Sequence, residues 1–352
     1  MADNIDEPGK IELLCIGNAM VDVFAPADFA RLDGLGITEP VQHVPLENAA
    51  RMLDELRSGD LVLASGGAVA NVAKIASMLG VGSAFAGCVG GDDLAAFFEE
   101  ELISADVVPF ITSVEGGTGI CLVFEASGET RIAASPGAAL EFTEADVPGD
   151  LIARADAVVL DGYMLDRRPL VQRILQLANR HGIPIALDAA SVFHIKEKTE
   201  AILHYSRNYP LIVFMNADES IVFYNTIRKG GVVDEFANER EKEAFILREI
   251  CPVLKCMTEG DIFPVIVIKL GGRGAVVLAG GGIHRAGTFS IIPRNTVGAG
   301  DAFCAAFMSA WIRGKPIRDC ASLGNKVARE VLMVPGTSVK KEKLSSLSRL
   351  LR

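Results

Sequence analysis

The chain has 352 residues, 50% of them apolar and 22% charged, so it can bury a large core and has no composition of global disorder. Its formal net charge of −11 argues against general nucleic-acid binding, which needs a basic face to neutralise phosphates. The 7 cysteines include no CxxC pair, which indicates reduced thiols, and no apolar run has the features of a signal peptide or a membrane span. We therefore expect a cytoplasmic protein without nucleic-acid or membrane partners.

Short apolar runs alternate with helical patterns along most of the chain. The runs typical of strands buried on both faces are Ile11–Ile16, Ala84–Val89, Ala157–Leu160, Ile183–Leu187, Leu211–Met215 and Val265–Leu270. The predicted helices between them include Val69–Leu79, Leu94–Ile103, Pro169–Arg180 and Glu239–Ile250. This alternation predicts an α/β fold of three layers, with a mostly parallel central sheet between helices. No repeat or low-complexity linker divides the chain, so we predict a single domain over residues 1–352.

Two regions interrupt the alternation and predict a small β-sheet beside the main one. Ile37–Val44 is a mixed stretch, whereas Phe110–Thr112 and Ile120–Ala133 resemble meandering strands, with Ser127 and Gly128 as a hairpin turn. We place the inserted segments at about residues 25–50 and 108–135. Such a flap can act as a lid that excludes water from a site at the sheet edge, although an ordinary surface hairpin would show the same pattern.

The segment from Asn295 to Met308 has the features of an anion site at the start of a helix. Gly298, Ala299 and Gly300 precede a run of helix formers that begins at Asp301. A small-residue turn entering a helix presents unpaired N–H groups and the positive end of the helix dipole, and it lets phosphate oxygens approach the backbone. A carboxylate there repels a bound anion, but it suits a base that accepts a proton from a hydroxyl attacking a phosphate. The alternative is a capping acid that contributes roughly 0.3–1 kcal/mol to the helix.

Other well-known phosphate, metal and catalytic motifs are absent from the sequence. There is no P-loop, no protein-kinase catalytic loop and no HExxH or serine elbow. Gly80 and Gly82 belong to a broken GxGxxG that follows a helix rather than a strand, which disfavours a nicotinamide-dependent dehydrogenase. None of the 5 histidines has a partner at metal-ligand spacing.

Asn295–Met308 resembles the carboxy-terminal signature of the PfkB carbohydrate kinases, the family of ribokinase, adenosine kinase and fructokinase. The family pattern D-T-x-G-A-G-D matches throughout, except that Asn295 replaces the more common Asp. The resemblance implies a ribokinase-like fold in which Asp301 is the catalytic base and the amides of Gly298, Ala299 and Gly300 hold the transferred phosphoryl group. The family's amino-terminal signature is similar to the segment that contains Gly66, Gly67 and Asn71, although Val69 stands where a small residue is usual.

Further segments occur in the family's order, and the resemblance implies a role for each. Asn18 and Asp22, after the first strand, would bind substrate together with Gly66, Gly67 and Asn71. Asn216, Lys269, Gly271, Gly274 and Asn325 would bind the nucleotide, and Glu219 in the N-x-x-E motif would hold the metal ion through water. The similarity thus extends over about residues 11–340.

The resemblance implies ATP and Mg²⁺ as cofactors and a small-molecule sugar or nucleoside as substrate. Met20, two residues before Asp22, and the sequence from Asp161 to Tyr163 favour the adenosine-kinase-like branch, because an apolar side chain suits a nucleoside base better than free ribose. Fructose-type and keto-deoxy-sugar substrates stay open, as does a member that binds sugar or nucleotide without catalysis. A monovalent cation such as K⁺ is common in the family, but Asn295 lacks the usual charge. A homodimer through the lid is a further expectation from the family.

Overall fold

The chain folds around two β-sheets, one large and one small. The computed structural model describes residues 10–57, 59–126, 129–228, 235–259, 263–289, 291–294, 297–334, 339 and 341–351. The strands are β1 (Leu13–Ile16), β2 (Met20–Pro26), β3 (Val41–His43), β4 (Val62–Gly66), β5 (Ser83–Val89), β6 (Val107–Ser113), β7 (Gly119–Ala126), β8 (Glu129–Ser135), β9 (Ala157–Asp161), β10 (Ile185–Asp188), β11 (Leu211–Asn216), β12 (Val265–Lys269), β13 (Ala275–Ala279) and β14 (Gly282–Ala286).

Helices cover the large sheet on both faces. They are α1 (Phe29–Gly34), α2 (Leu46–Leu56), α3 (Ala68–Met78), α4 (Asp93–Ser104), α5 (Gly149–Arg154), α6 (Arg168–His181), α7 (Val192–Ser206), α8 (Ala217–Arg228), α9 (Glu239–Phe245), α10 (Cys251–Glu259), α11 (Ala299–Ile312), α12 (Ile317–Leu332) and α13 (Lys341–Ser348). Residues 246–250 form a single wide turn between α9 and α10, so the helix predicted at Glu239–Ile250 continues to Glu259. Among the described residues, no helix combines the length and apolar character that crossing a bilayer requires.

The large sheet has nine strands in the order β14-β13-β12-β11-β10-β9-β1-β5-β6. The pairs from β12 to β6 are parallel, whereas β13 and β14 add an antiparallel edge. Alternate residues of each central strand point to opposite faces and contribute to two separate apolar cores. One core includes residues of α3, α11 and α12, and the other includes residues of α6, α7, α8 and α10. The predicted mostly parallel three-layer α/β fold is confirmed.

The placement of Phe110–Thr112 in the lid is wrong. These residues lie in β6, the edge strand of the large sheet, which pairs in parallel with β5. A parallel pair needs a crossover connection, and α4 supplies it between β5 and β6. No helix lies between residues 110–112 and the strand that follows them, and this local pattern resembles a meander although α4 precedes both.

The small sheet has five strands in the order β3-β8-β7-β2-β4. The segments predicted for a lid, at about residues 25–50 and 108–135, do not include β4 (Val62–Gly66) or most of β2 (Met20–Pro26). The predicted turn at Ser127 and Gly128 lies outside the described residues. The organisation as one kinase domain with inserted lid segments stays a prediction.

Candidate active site

Polar residues end four neighbouring strands of the large sheet. Asp161 closes β9 and is in register with Asp188 on β10, and Asn216 closes β11 in register with Lys269 on β12. Residues two positions earlier on these strands belong to the core that includes α3 and α11, so alternation directs the four polar side chains to that same face. The earlier residues are Val159, Ala186, Phe214 and Val267. The carboxyl edge of the sheet is therefore polar where these two helices cover it.

Helix α11 begins against this polar edge. Gly298 precedes the helix in a left-handed conformation, with φ of 78°, and its carbonyl oxygen accepts a 2.9 Å hydrogen bond from the Ala302 amide. A Cβ placed on Gly300 would lie 3.3 Å from Nζ of Lys269. The first-turn amides of a helix have no intrahelical partner, so they and the Lys269 ammonium together form a local positive site suited to phosphate. Asn295 lies outside the described residues.

Asp301 lies in the first turn of α11 and is tied to α3. Its Oδ2 accepts a 3.0 Å hydrogen bond from Nδ2 of Asn71. Burial and Asp188 together raise the pKa of Asp301 to about 6, although Asn71, Lys269 and Lys74 oppose the rise. A carboxylate with a pKa near 6 is ionised at neutral pH and accepts a proton more readily than an ordinary Asp.

Asp22 lies on β2, opposite the Gly66–Gly67 turn. A Cβ placed on Gly66 would lie 2.1 Å from Oδ1 of Asp22, so only glycine allows the carboxylate to approach the backbone this closely. Gly67 begins α3 with φ of 92°, and a Cβ there would lie 2.2 Å from the Asn18 carbonyl oxygen. Burial and repulsion from Asp301 raise the pKa of Asp22 to about 7, whereas the positive charge of Lys74 opposes the rise. The structure thus brings Asp22, Gly66, Asn71 and Asp301 into one cluster.

Asn18 is held by Arg167, a residue that the sequence reading missed. Nη2 of Arg167 donates a 2.5 Å hydrogen bond to Oδ1 of Asn18, and Nη1 donates to the Ala139 carbonyl oxygen at 2.6 Å. Gly17, the residue before Asn18, lies next to Asp161: a Cβ placed on Gly17 would be 3.1 Å from Oδ2 of Asp161. Burial raises the pKa of Asp161 to about 7, and its Oδ1 is buried without a hydrogen-bond partner.

Asn216 and Glu219 form a reciprocal cap at the start of α8. The Asn216 amide donates to Oε2 of Glu219 at 2.7 Å, its Nδ2 donates to Oε1 at 2.8 Å, and its Oδ1 accepts from the Glu219 amide at 2.9 Å. Burial and, to a lesser extent, Asp188 raise the pKa of Glu219 to about 7. The N-x-x-E spacing therefore has a structural reason as well as the predicted role in the metal–phosphate network.

Lys269 pairs with Asp188, which the sequence reading also missed. Their Nζ and Oδ2 atoms are 2.6 Å apart, and both side chains are only 14% exposed. Burial alone would lower the pKa of Lys269, but Asp188 and Glu219 outweigh it, so the pKa is raised and the ammonium stays charged. The available signal was the position of Asp188 directly after a predicted buried strand.

Gly274 and Asn325, two of the predicted nucleotide-binding residues, meet at the end of β14. A Cβ on Gly274 would lie 2.1 Å from the Ala286 carbonyl oxygen. Nδ2 of Asn325, on α12, donates to that same oxygen at 2.9 Å and to the Gly287 carbonyl oxygen at 3.3 Å. Gly271 begins the turn with φ of 56°. Asn325 therefore fixes the backbone beside the turn through its amide nitrogen.

Residues 46–344 match the pfkB family carbohydrate kinases. The chain belongs to this family. It is 28% identical to a nucleoside kinase of Methanothermobacter thermautotrophicus over 77% of this chain and 79% of that protein. It is 23% identical to the adenosine kinase of Dictyostelium discoideum over 94% of this chain and 97% of that protein.

Solved structures of sugar and adenosine kinases have the same fold as this pfkB kinase. A probable sugar kinase from Rhizobium etli aligns with a TM-score of 0.82 and 23% identity, over 97% of this chain and 99% of that one. The adenosine kinase from Sinorhizobium meliloti aligns with a TM-score of 0.79 and 24% identity over the same shares. The expected family, its adenosine-kinase-like branch and its fold are confirmed.

Proposed function

We propose that this pfkB kinase transfers the γ-phosphoryl group of ATP to a hydroxyl of a nucleoside or another substituted sugar, with Asp301 as the general base. The observation that carries the proposal is the position of Asp301. Its carboxylate lies between the positive start of α11, with Lys269 beside Gly300, and the cluster of Asp22, Gly66 and Asn71. A base between a phosphate site and a hydroxyl site is what in-line phosphoryl transfer to an alcohol requires.

The residues have separable roles in this mechanism. Asp22, Asn18, Gly66, Gly67 and Asn71 would bind the acceptor, and the Asp22 carboxylate would accept hydrogen bonds from its hydroxyl groups. Asp301 would accept the proton of the attacking hydroxyl. The amides of Gly298, Ala299 and Gly300 and the ammonium of Lys269 would stabilise charge on the phosphoryl oxygens. General-base help contributes about 10²–10⁴-fold, and positioning with electrostatics supplies the rest.

On the nucleotide side, we expect ATP along Asn216, Lys269, Gly271 and Gly274, with Asn325 at the edge of the base. The described residues include no cluster of three or more metal-ligating side chains. Both oxygens of Glu219 already accept hydrogen bonds from Asn216, so contact with Mg²⁺ through water fits better than direct ligation. Glu219 would hold Mg²⁺ through water, and the bound ion would supply positive charge against the charge that develops on the phosphates. K⁺ dependence and a homodimer through the small sheet stay predictions.

Similarity to a nucleoside kinase and to adenosine kinases supports a nucleoside as the acceptor. A keto-deoxy sugar is the second candidate, since the chain is 24% identical to a 5-dehydro-2-deoxygluconokinase of Bacillus anthracis over 76% of its length. The buried base and its hydrogen bond to Asn71 argue against a binding protein without catalysis.

An ADP-release assay with Mg-ATP over nucleosides, ribose, fructose and keto-deoxy sugars tests the proposal, with Asp301→Asn measured beside the wild type. We expect turnover of one substrate class and a loss of at least ~10²-fold in Asp301→Asn, with unchanged melting temperature. Comparable turnover by Asp301→Asn would show that this residue only caps the helix. Binding of ATP without turnover of any acceptor would favour the non-catalytic alternative.

A further inference from the structure

Lys74 is a buried lysine that neither the sequence motifs nor the mechanism above uses. It lies on α3, in an otherwise nearly apolar helix, and the residue is only 8% exposed. Its Nζ donates a 2.9 Å hydrogen bond to Oγ of Ser65 and a second one to the Ser65 carbonyl oxygen. Both acceptors are neutral, and burying an ammonium group among neutral groups is costly unless carboxylates lie near it.

The position of Lys74 relates it to Asp22, which belongs to the proposed acceptor site, and to Asp301, the proposed base. Asn71, which donates to Asp301, lies three residues earlier and therefore on the same face of α3. Ser65 directly precedes Gly66, where an added Cβ would lie 2.1 Å from Oδ1 of Asp22. Lys74 thus lies about one helical turn from Asn71, which contacts Asp301, and its ammonium binds Ser65, the neighbour of Gly66.

The surrounding charges agree with this geometry. Burial lowers the pKa of Lys74, whereas Asp22, Glu101 and Asp301 raise it. Lys74 in turn favours the ionised forms of Asp22 and Asp301. The other titratable groups that interact with these carboxylates are Cys121 at Asp22, and Asp161, Tyr163, Asp188, Lys269 and Cys304 at Asp301. Lys74 is the cation common to the two carboxylates.

We propose that Lys74 is a positioning residue for phosphoryl transfer, whose buried ammonium favours the ionised forms of Asp22 and Asp301 and anchors α3 to β4 through Ser65. This inference rests on the proposed function. A base that is protonated cannot accept the hydroxyl proton, and a protonated Asp22 loses a strong hydrogen-bond acceptor. A nearby opposite charge lowers a carboxyl pKa, so loss of the Lys74 charge moves both groups toward their neutral forms.

Lys74→Met tests the inference without relying on turnover alone. Titration of Asp22 and Asp301 by carboxyl ¹³C NMR, assigned with Asp22→Asn and Asp301→Asn, should show both pKa values at least about one unit higher in Lys74→Met. The acid limb of kcat/KM should move upward in pH by a similar amount. A merely structural role would lower kcat/KM equally at every pH and leave the two titrations unchanged, and that result would overturn the inference.

A surface cleft offers an independent measurement. It has a volume of about 210 Å³, lies between α3 and α4, and is lined by Asn71, Lys74 and Glu101 among others. In Lys74→Ala, methylammonium or ethylammonium can enter from this cleft and replace the missing charge. We expect a saturable recovery of kcat/KM of at least about fivefold, with no recovery by n-propanol. Equal recovery by the alcohol would show that volume rather than charge matters and would contradict the proposal.

The controls separate the two proposals. Lys341→Met removes an exposed lysine that pairs with Asp106 and should leave both titrations and kinetics unchanged. Ser65→Ala keeps the ammonium but removes one acceptor, so its pH profile should shift less than that of Lys74→Met. If the wild type phosphorylates no acceptor, the proposed function fails, while the NMR titrations still decide whether Lys74 controls the two carboxylates.

Discussion

Asn71 donates a 3.0 Å hydrogen bond to Asp301 across 230 positions of the sequence, and this contact joins the proposed acceptor site to the proposed base. Asn71 lies on α3 behind the Gly66–Gly67 turn, and Asp301 lies in the first turn of α11. The two helices pack against each other on one face of the large sheet. A displacement of either helix would therefore change the environment of the base.

Asn71→Ala removes this hydrogen bond and should lower kcat/KM at pH 7 by about ten- to a hundredfold, as expected for a bond to a charged group. Because Asn71 favours the ionised form of Asp301, the pKa of Asp301 should rise above its present value of about 6. The pH profile of kcat/KM measures both effects. Asn208→Ala, at the opposite edge of the sheet, is the matched control and should behave as the wild type. An unshifted acid limb in Asn71→Ala would contradict the role given to this contact.

The buried carboxyl group of Asp161 should make the stability of the folded protein depend on pH. Its pKa is raised from 3.8 to about 7 in the folded protein, so its contribution to stability is fully present below about pH 4 and is lost as pH rises through 7. Asp161→Asn stays neutral at every pH. The difference in melting temperature, variant minus wild type, should therefore increase between pH 5 and pH 8. Thermal unfolding at the two pH values measures it, and a difference that is constant or decreases would show that Asp161 is ionised without penalty in the fold.

Gly66→Ala tests the close approach of Asp22 to the backbone. The new Cβ would lie 2.1 Å from Oδ1 of Asp22, so the carboxylate or the β4 strand must move. We expect KM for the acceptor to increase at least about tenfold, because Asp22 would lose its binding position. Gly34→Ala, with no atom within 4 Å of its added Cβ, is the control and should keep the wild-type KM. An unchanged acceptor KM in Gly66→Ala would remove Asp22 from the proposed site.

The sequence predicted the large sheet well because strands buried on both faces are continuous apolar runs. Predicted Ala84–Val89 and Leu211–Met215, for example, correspond to β5 and β11 within one residue. The small sheet was predicted less well, because β2 and β4 have only one strongly buried face and border the motif glycines. In addition, β2 pairs with β7, nearly a hundred residues away in sequence, and no local pattern specifies such a contact.

The sequence predicted the site residues that stand in family motifs. It did not predict those whose role depends on contacts formed only in the folded protein. Asp22, Asn71 and Asp301 stand in recognisable patterns, and the structure brings them together. No motif marks Lys74, Arg167 or Asp188 in the sequence. The role of each residue is recognised only from the groups that it contacts in the fold. For Lys74 a signal existed, since a single lysine in the helix Ala68–Met78 has no solvated face to occupy.

Glu243 on α9 forms ion pairs with two arginines at the edge of the large sheet. Arg273 lies in the turn between Gly271 and Gly274, and its Nε is 2.7 Å from Oε2 of Glu243, whose side chain is only 12% exposed. Arg285 on β14 contacts the same carboxylate. Glu243→Gln should loosen this turn and raise KM for ATP several-fold with little change in kcat, because the role proposed for the turn is to bind the nucleotide rather than the reacting hydroxyl. Glu239→Gln is the matched control, since Glu239 pairs with the same arginine at 3.2 Å but is 66% exposed, where an ion pair contributes little. Equal effects of the two substitutions, or a fall in kcat at constant KM for ATP, would show that α9 does not position the nucleotide turn.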